Sequence, residues 1–304
     1  MELNDKARID TSQVQDVRGS GGSGGGLGGL PIPLPNGKGG WLGLLVAVIV
    51  TLVGGGFGVN ELAGDEPAVD NVALNEKCAR ADRLSHLDCR NTLFVNSVQD
   101  YWREALPERF GRQYQPAPTT FFANAVRTGC GPADSGVGPF YCPANRTVYI
   151  DLGFYQVLAD KLGAPGEFAQ PYVLAHEYGH HVQTLLGTEA QMRRAQQRDP
   201  GNANRYSVML ELQADCYAGA WAGNATGTDD ATGNKIFTRI TADDIQQGLD
   251  TAAAIGDDAI QKKMGGRVNE SAFTHGSSAD RQRWFRVGFD SADPTRCDTF
   301  SGAL

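Results

Sequence analysis

Residues 168–187 read FAQPYVLAHEYGHHVQTLLG, and one spacing inside them governs the reading of the whole chain. His176 and His180 stand four residues apart in a stretch that is otherwise apolar (Val173, Leu174, Ala175, Val182, Leu185, Leu186) and carries a helical period. Residues four apart share one face of a helix, so both imidazoles can reach a single tetrahedral Zn²⁺. Glu177 completes the His-Glu-x-x-His pattern. From beside the metal it can take a proton from water whose pKa the ion has lowered and pass it to a leaving amine. Gly179 costs a helix interior about 1 kcal/mol relative to Ala, so its presence implies that another element packs closely there.

A zinc site needs a third protein ligand, and residues 207–221, SVMLELQADCYAGAW, offer one. Glu211 and Asp215 are again four apart on a helical pattern, flanked by Leu210, Leu212, Ala214 and Cys216. Glu211 is suited to ligate the metal. Asp215 is suited to accept the free ring N–H of a ligating histidine, which fixes its tautomer. Three protein ligands and a base leave a position open for water, whereas a structural zinc site is closed by four. Two competing readings are a membrane-anchored binding module with a structural zinc and no catalysis, and an anchored interaction protein in which the histidine spacing is accidental.

These residues carry a resemblance. HEYGHHVQ (176–183), ELQADCYAG (211–219), TGCGPADSGVGPFYCPANRTVYIDLGFY (128–155) and FTHGSSADRQRWFRVGFDSADPTRC (273–297) resemble the neutral zinc metallopeptidase family of bacterial membrane-anchored proteins, as does the N-terminal VQDVRGSGG ahead of a Gly-rich linker. The Glu-x-x-x-Asp element also resembles the thermolysin-like zincins. The resemblance implies a zinc-dependent endopeptidase, with one zinc per chain and a peptide or protein substrate.

The chain has 304 residues, 41% of them hydrophobic, enough for a sizeable core, while 39 glycines mark part of it as non-globular. A net charge of −8 with scattered Lys and Arg excludes nucleic acid as a partner. Residues 1–38, with a Gly/Ser run at 19–26 and LPIPLP at 30–35, read as a disordered cytoplasmic segment. The uncharged, largely apolar residues 39–60 have the length of a bilayer span, with Trp41 at the border and Lys38 just outside. Acidic residues follow (Glu61, Asp65, Glu66, Asp70), so the positive-inside rule predicts a signal anchor. Residues 61–70 would then be a linker and 71–304 an extracytoplasmic domain of a single-pass inner-membrane protein. All six cysteines lie after the span, as disulfides in an oxidising compartment would require. Spacing pairs Cys130 with Cys142 and Cys78 with Cys89, leaving Cys216 for Cys297. As a rival zinc ligand, Cys216 is turned by roughly 100° from Asp215 on a helix.

Within the domain an amphipathic helix is predicted over 91–106, strands over 119–123 and 147–151, and helices at about 155–162, 168–186, 188–198, 206–222, 242–255 and 278–289. The fold expected is α+β, helix-dominated and zincin-like with a small sheet. Order along the chain makes Thr147–Asp151 the candidate edge strand for an extended substrate. His181 points off the metal face. His275, in FTHGSS, either donates to an oxyanion or caps the C-terminal helix, with Tyr149, Tyr155 and Tyr178 as alternative donors.

Overall fold

The computed structural model describes residues 1–19 and 71–301. In chain order they form β1 (Glu2–Leu3), β2 (Val14–Asp16), α1 (Val72–Cys78), α2 (Leu87–Phe110), β3 (Thr119–Phe122), β4 (Ala125–Thr128), β5 (Gly131–Asp134), β6 (Phe140–Cys142) and β7 (Thr147–Asp151). There follow α3 (Phe154–Asp160), α4 (Ala169–Leu186), α5 (Thr188–Arg198), α6 (Ala203–Asn224), β8 (Phe237–Arg239), α7 (Ala242–Ala254), α8 (Asp257–Lys263) and α9 (Ser278–Ser291). The described residues thus make a mixed fold of helices and short strands.

The principal sheet has the order β2-β3-β7-β6. β2, β3 and β7 run parallel, and β6 returns antiparallel to β7. Every residue of β3 is buried, as a central strand covered on both faces should be. Thr147–Asp151 is therefore an interior strand, and the edge falls to β6. Order along the chain missed this because the short segment 140–142 folds back onto β7. The sheet is fastened to α4 through Tyr178, whose hydroxyl lies 2.9 Å from the Thr119 hydroxyl and donates to the Ala117 carbonyl at 2.9 Å.

Small residues let the helices approach closely enough to bury polar groups between them. A Cβ on Gly179 would lie 3.0 Å from the Cα of Ala214, so α4 and α6 cross backbone against backbone. A Cβ on Gly219 would overlap the Phe285 carbonyl, and one on Gly288 the Cys216 carbonyl, which fixes α9 against α6 equally tightly. Disulfides join Cys78 to Cys89, Cys130 to Cys142 and Cys216 to Cys297. The first holds the opening turn of α2, which begins at Leu87 rather than at residue 91.

The expected disordered N-terminus followed by one membrane-spanning helix is corrected by the fold. Residues 1–18 are part of the domain: β1 pairs with β8, and β2 pairs in register with β3, Val14 opposite Thr119. A chain crossing a bilayer once between residues 18 and 71 would put β2 and β3 on opposite sides of it, yet they are hydrogen-bonded neighbours. Among the described residues no helix is long and apolar enough to cross a membrane. The expected span at 39–60 and linker at 61–70 lie outside the described residues. The single-pass inner-membrane placement is withdrawn on these grounds, together with the bilayer contact.

Composition hid the docking of the N-terminal segment because its few apolar residues, Ala7 and Val14 buried in the core, are joined by specific polar contacts. The Asn71 amide donates to the Val14 carbonyl at 2.5 Å and the Thr11 carbonyl at 3.1 Å, and Asn96 and Asp10 exchange two hydrogen bonds. Arg18 reaches Asp88 at 2.7 Å, where Lys77 also donates at 2.6 Å. Burial alone would raise the Asp88 carboxyl; Lys77 and Arg18 outweigh it and hold its pKa below the ordinary aspartate value. A depressed folded-state pKa stabilises above the unfolded pKa, and that contribution is lost as pH falls through the folded value. Asp88→Asn should therefore cost about 1–3 kcal/mol at neutral pH, and the wild-type advantage should vanish in acid. Hydrogen exchange should show Val14–Asp16 opening first in the variant; undiminished protection there would refute the clasp.

Candidate metal centre and its cleft

The two α4 histidines and Glu211 of α6 converge because both helices carry their polar pair at a spacing of four and cross at Gly179 and Ala214. His176 Nε2 lies 3.2 Å from Glu211 Oε2, and His180 Nε2 lies 3.5 Å from Glu211 Oε1. One ligand atom from each residue falls within 4.8 Å of the others. Two ligands about 2.0–2.1 Å from one tetrahedral ion stand roughly 3.3 Å apart, so the trio fits an ion of zinc's size and its nitrogen-and-carboxylate preference. Cys216 is tied to Cys297 and offers no thiolate.

Both rings are oriented from behind. His176 Nδ1 lies 2.8 Å from Asp215 Oδ1. Asp215 is fully buried and also accepts from Tyr172 at 2.6 Å and from two guanidinium nitrogens of Arg281 at 2.7 and 3.0 Å. His180 Nδ1 lies 2.9 Å from Gln183 Oε1, and the Gln183 amide donates to the Leu210 carbonyl at 2.7 Å, locking the group onto α6. One histidine therefore leans on an anion and the other on a neutral amide.

Charge is distributed accordingly. Burial would raise the Asp215 carboxyl, but Arg281 and His176 overcome it and leave the pKa at about 2. Burial would likewise raise Glu211; the facing histidines, His180 first, hold it far below the usual carboxylate range. His176 would be lowered by burial, yet Asp215 and Glu211 raise it to about 10. That value describes an imidazole facing two carboxylates, whereas a ligating His176 must be neutral. Glu177 is the exception among the carboxylates of the cleft: burial raises its pKa, against the opposing pull of His176 and His180.

Around this centre opens a cleft lined by Tyr141 and Phe140 of the edge strand, by Glu177, and by His275 and Arg281. His275 lines the cleft, with Nδ1 3.2 Å from Asp257 Oδ1. Asp257 Oδ2 accepts the backbone N–H groups of Thr274 and His275 at 2.7 Å and of Gly276 at 3.0 Å. The tight turn uses the left-handed conformation of Gly276, φ 99°. His275 does not cap α9; that hydrogen bond comes from Ser277.

The alternative tyrosine donors are engaged elsewhere. Tyr149 accepts from Asn145 and stacks on Phe140 in a separate apolar cluster, Tyr155 donates to Asn91, and Tyr178 binds Thr119 and Ala117. His181 is buried on the second face of α4, between the Tyr141 hydroxyl and the Gln115 carbonyl, and burial lowers its pKa to about 4. Sequence reading missed Tyr172, Gln183, Asp257 and Arg281. Gln183 could have been found one turn beyond His180 on the metal face. Asp257 and Arg281 carry no local signal, since nothing in one chain says which of several aspartates or arginines a fold will bury.

A family model described as "Putative neutral zinc metallopeptidase" matches residues 3–300. The chain belongs to this family. It is 40% identical over 302 residues to the uncharacterized protein YpfJ of Escherichia coli (strain K12), covering 98% of this chain and 99% of that one. It is 48% identical over 225 residues to the uncharacterized proteins Mb2605 of Mycobacterium bovis and Rv2575 of Mycobacterium tuberculosis, covering 73% of this chain and 74% of theirs. No solved structure matches.

The family's description names zinc and a peptidase, so the three partners of Asp215, which reach it through four hydrogen bonds, bear on a candidate metal site. Arg281→Met would leave the buried Asp215 carboxylate without its cation, at a cost of about 3–5 kcal/mol. Thermal unfolding of metal-free protein should reveal this loss, with Arg281→Lys partly restoring it. A melting temperature equal to wild type in Arg281→Met would show that Asp215 does not depend on Arg281.

Proposed function

We propose that the protein is a zinc-dependent endopeptidase in which His176, His180 and Glu211 hold one Zn²⁺ and Glu177 is the general base. The observation that carries this reading is a buried carboxylate, Glu177, lying in the same open cleft as three converging ligand atoms. An open cleft beside three ligands supports catalysis over a structural zinc, which would be closed by a fourth.

The ion, when bound, supplies a Lewis acid that lowers the pKa of water and polarises the scissile carbonyl. Glu177 accepts the proton of the attacking water and delivers it to the amine leaving group. Glu177 is buried in the wall of the cleft beside the two imidazoles, within the same cavity as the water it would deprotonate. Asp215 and Gln183 orient the two imidazoles. His275 lines the cleft with Nδ1 3.2 Å from Asp257 Oδ1, and a ring N–H at Nε2 would serve as donor to the oxyanion of the tetrahedral intermediate. The β6 edge can receive an extended peptide as an added strand directly above the base.

Glu177→Gln should retain zinc and thermal stability while hydrolysing a quenched peptide about 10²–10⁴-fold more slowly. Undiminished hydrolysis would eliminate this base. Metal analysis should find one zinc per wild-type chain, none held stoichiometrically by Glu211→Ala, and about 10–100-fold weaker binding in Asp215→Asn. His275→Ala should lower kcat by about 10²–10³-fold with zinc content unchanged; a variant that loses only stability would assign His275 to the turn alone.

A further inference from the structure

The cleft has two chemically different ends along α4. One turn after His180 it is polar, with Gln183 and then Glu189 and Arg193 of α5, an ion pair at 2.6 Å. One turn before His176 the wall is apolar, built from Phe140 of β6, Phe154 of α3, Leu162, Val173 of α4, Ile255 and Ile260 of α8. Five of these six are buried, with only Ile255 partly exposed, so what remains open faces a recess and not a flat patch.

Three contacts hold the wall residues in place. Arg281 Nη1 donates to the Ile255 carbonyl at 3.3 Å, Lys263 donates to the Leu162 carbonyl, and Phe140 stacks on Tyr149 with ring centroids 5.1 Å apart. The charges bordering the wall are already committed: Arg281, 2% exposed, to Asp215, and Lys263 to the Leu162 carbonyl. A charged or strongly polar substrate side chain placed here would lose its water without finding a partner. A Leu or Phe side chain would bury its surface against six apolar neighbours.

Resting on the peptidase reading above, we propose that this apolar end is a specificity pocket that selects peptides with a large apolar residue next to the scissile bond, with Phe140, Phe154, Leu162, Val173, Ile255 and Ile260 as its walls.

Quenched peptides varied at single positions, with cleavage points read by mass spectrometry, test this on the zinc-loaded full chain. Leu or Phe at one position flanking the cut should exceed Gly there by about 10–100-fold in kcat/KM, the worth of burying such a side chain. Ile260→Trp, which fills the recess, should reduce that preference at least about 10-fold. The same order should appear in peptide binding to zinc-loaded Glu177→Gln, measured by fluorescence anisotropy, which needs neither turnover nor the Ile260 variant to fold. Hydrolysis with no apolar preference, or a preference unchanged in folded Ile260→Trp, overturns the pocket. Absence of hydrolysis refutes the peptidase reading instead, and the pocket is then judged by binding, where equal affinity for Gly and Leu peptides overturns it.

Discussion

One buried carboxylate, Asp215, joins three elements of the fold at a single point. It receives Tyr172 and His176 from α4 and Arg281 from α9 while standing on α6, and none of the four side chains is more than slightly exposed. An isolated carboxylate in such a place would be protonated or the domain would open. Fully paired, it stays charged, and the imidazole against it is held in one orientation. Structural stability and ligand geometry therefore depend on the same atoms. A change that disturbs either of the flanking helices reaches the candidate metal centre without touching His176, His180 or Glu211.

That arrangement is possible only because the helices meet at glycines. Gly179 against Ala214 brings the two polar pairs within reach of each other, and Gly219 with Gly288 brings Arg281 to Asp215. With ordinary side chains at these crossings the helix axes would stand further apart, and the contacts of 2.6–3.5 Å around Asp215 and Glu211 could not form. The conformational cost of each helical glycine is local. What it permits is long-range, since α9 lies far along the chain from α4.

The sheet contributes in a different way. β6, the antiparallel edge, carries Tyr141, which lines the cleft together with Glu177 and links the strand to His181 through its hydroxyl. The opposite edge is occupied by β2 from the first residues of the chain. The sheet thus ends in β2 on one side and in β6, which borders the cleft, on the other. The three parallel strands give this edge a rigid backing, and the Cys130–Cys142 bridge pins its end to the tip of the β4–β5 hairpin.

The amino-acid sequence by itself determined what is periodic and local. Two histidines four apart on an apolar helix, two carboxylates four apart on another, and the presence of a glycine where a helix would not ordinarily take one all follow from 3.6 residues per turn. It could not determine which edge of the sheet stays open, because β6 is three residues long and becomes an edge only by pairing with β7. It misjudged residues 1–18, whose few apolar residues suggest disorder, because a strand in a sheet is held by its neighbour's backbone, and composition does not encode that neighbour. Tertiary structure alone decided that Arg281 among several arginines, and Asp257 among many aspartates, would be buried against the site. Their roles come from desolvation and from partners distant in sequence, quantities that exist only once the chain has folded.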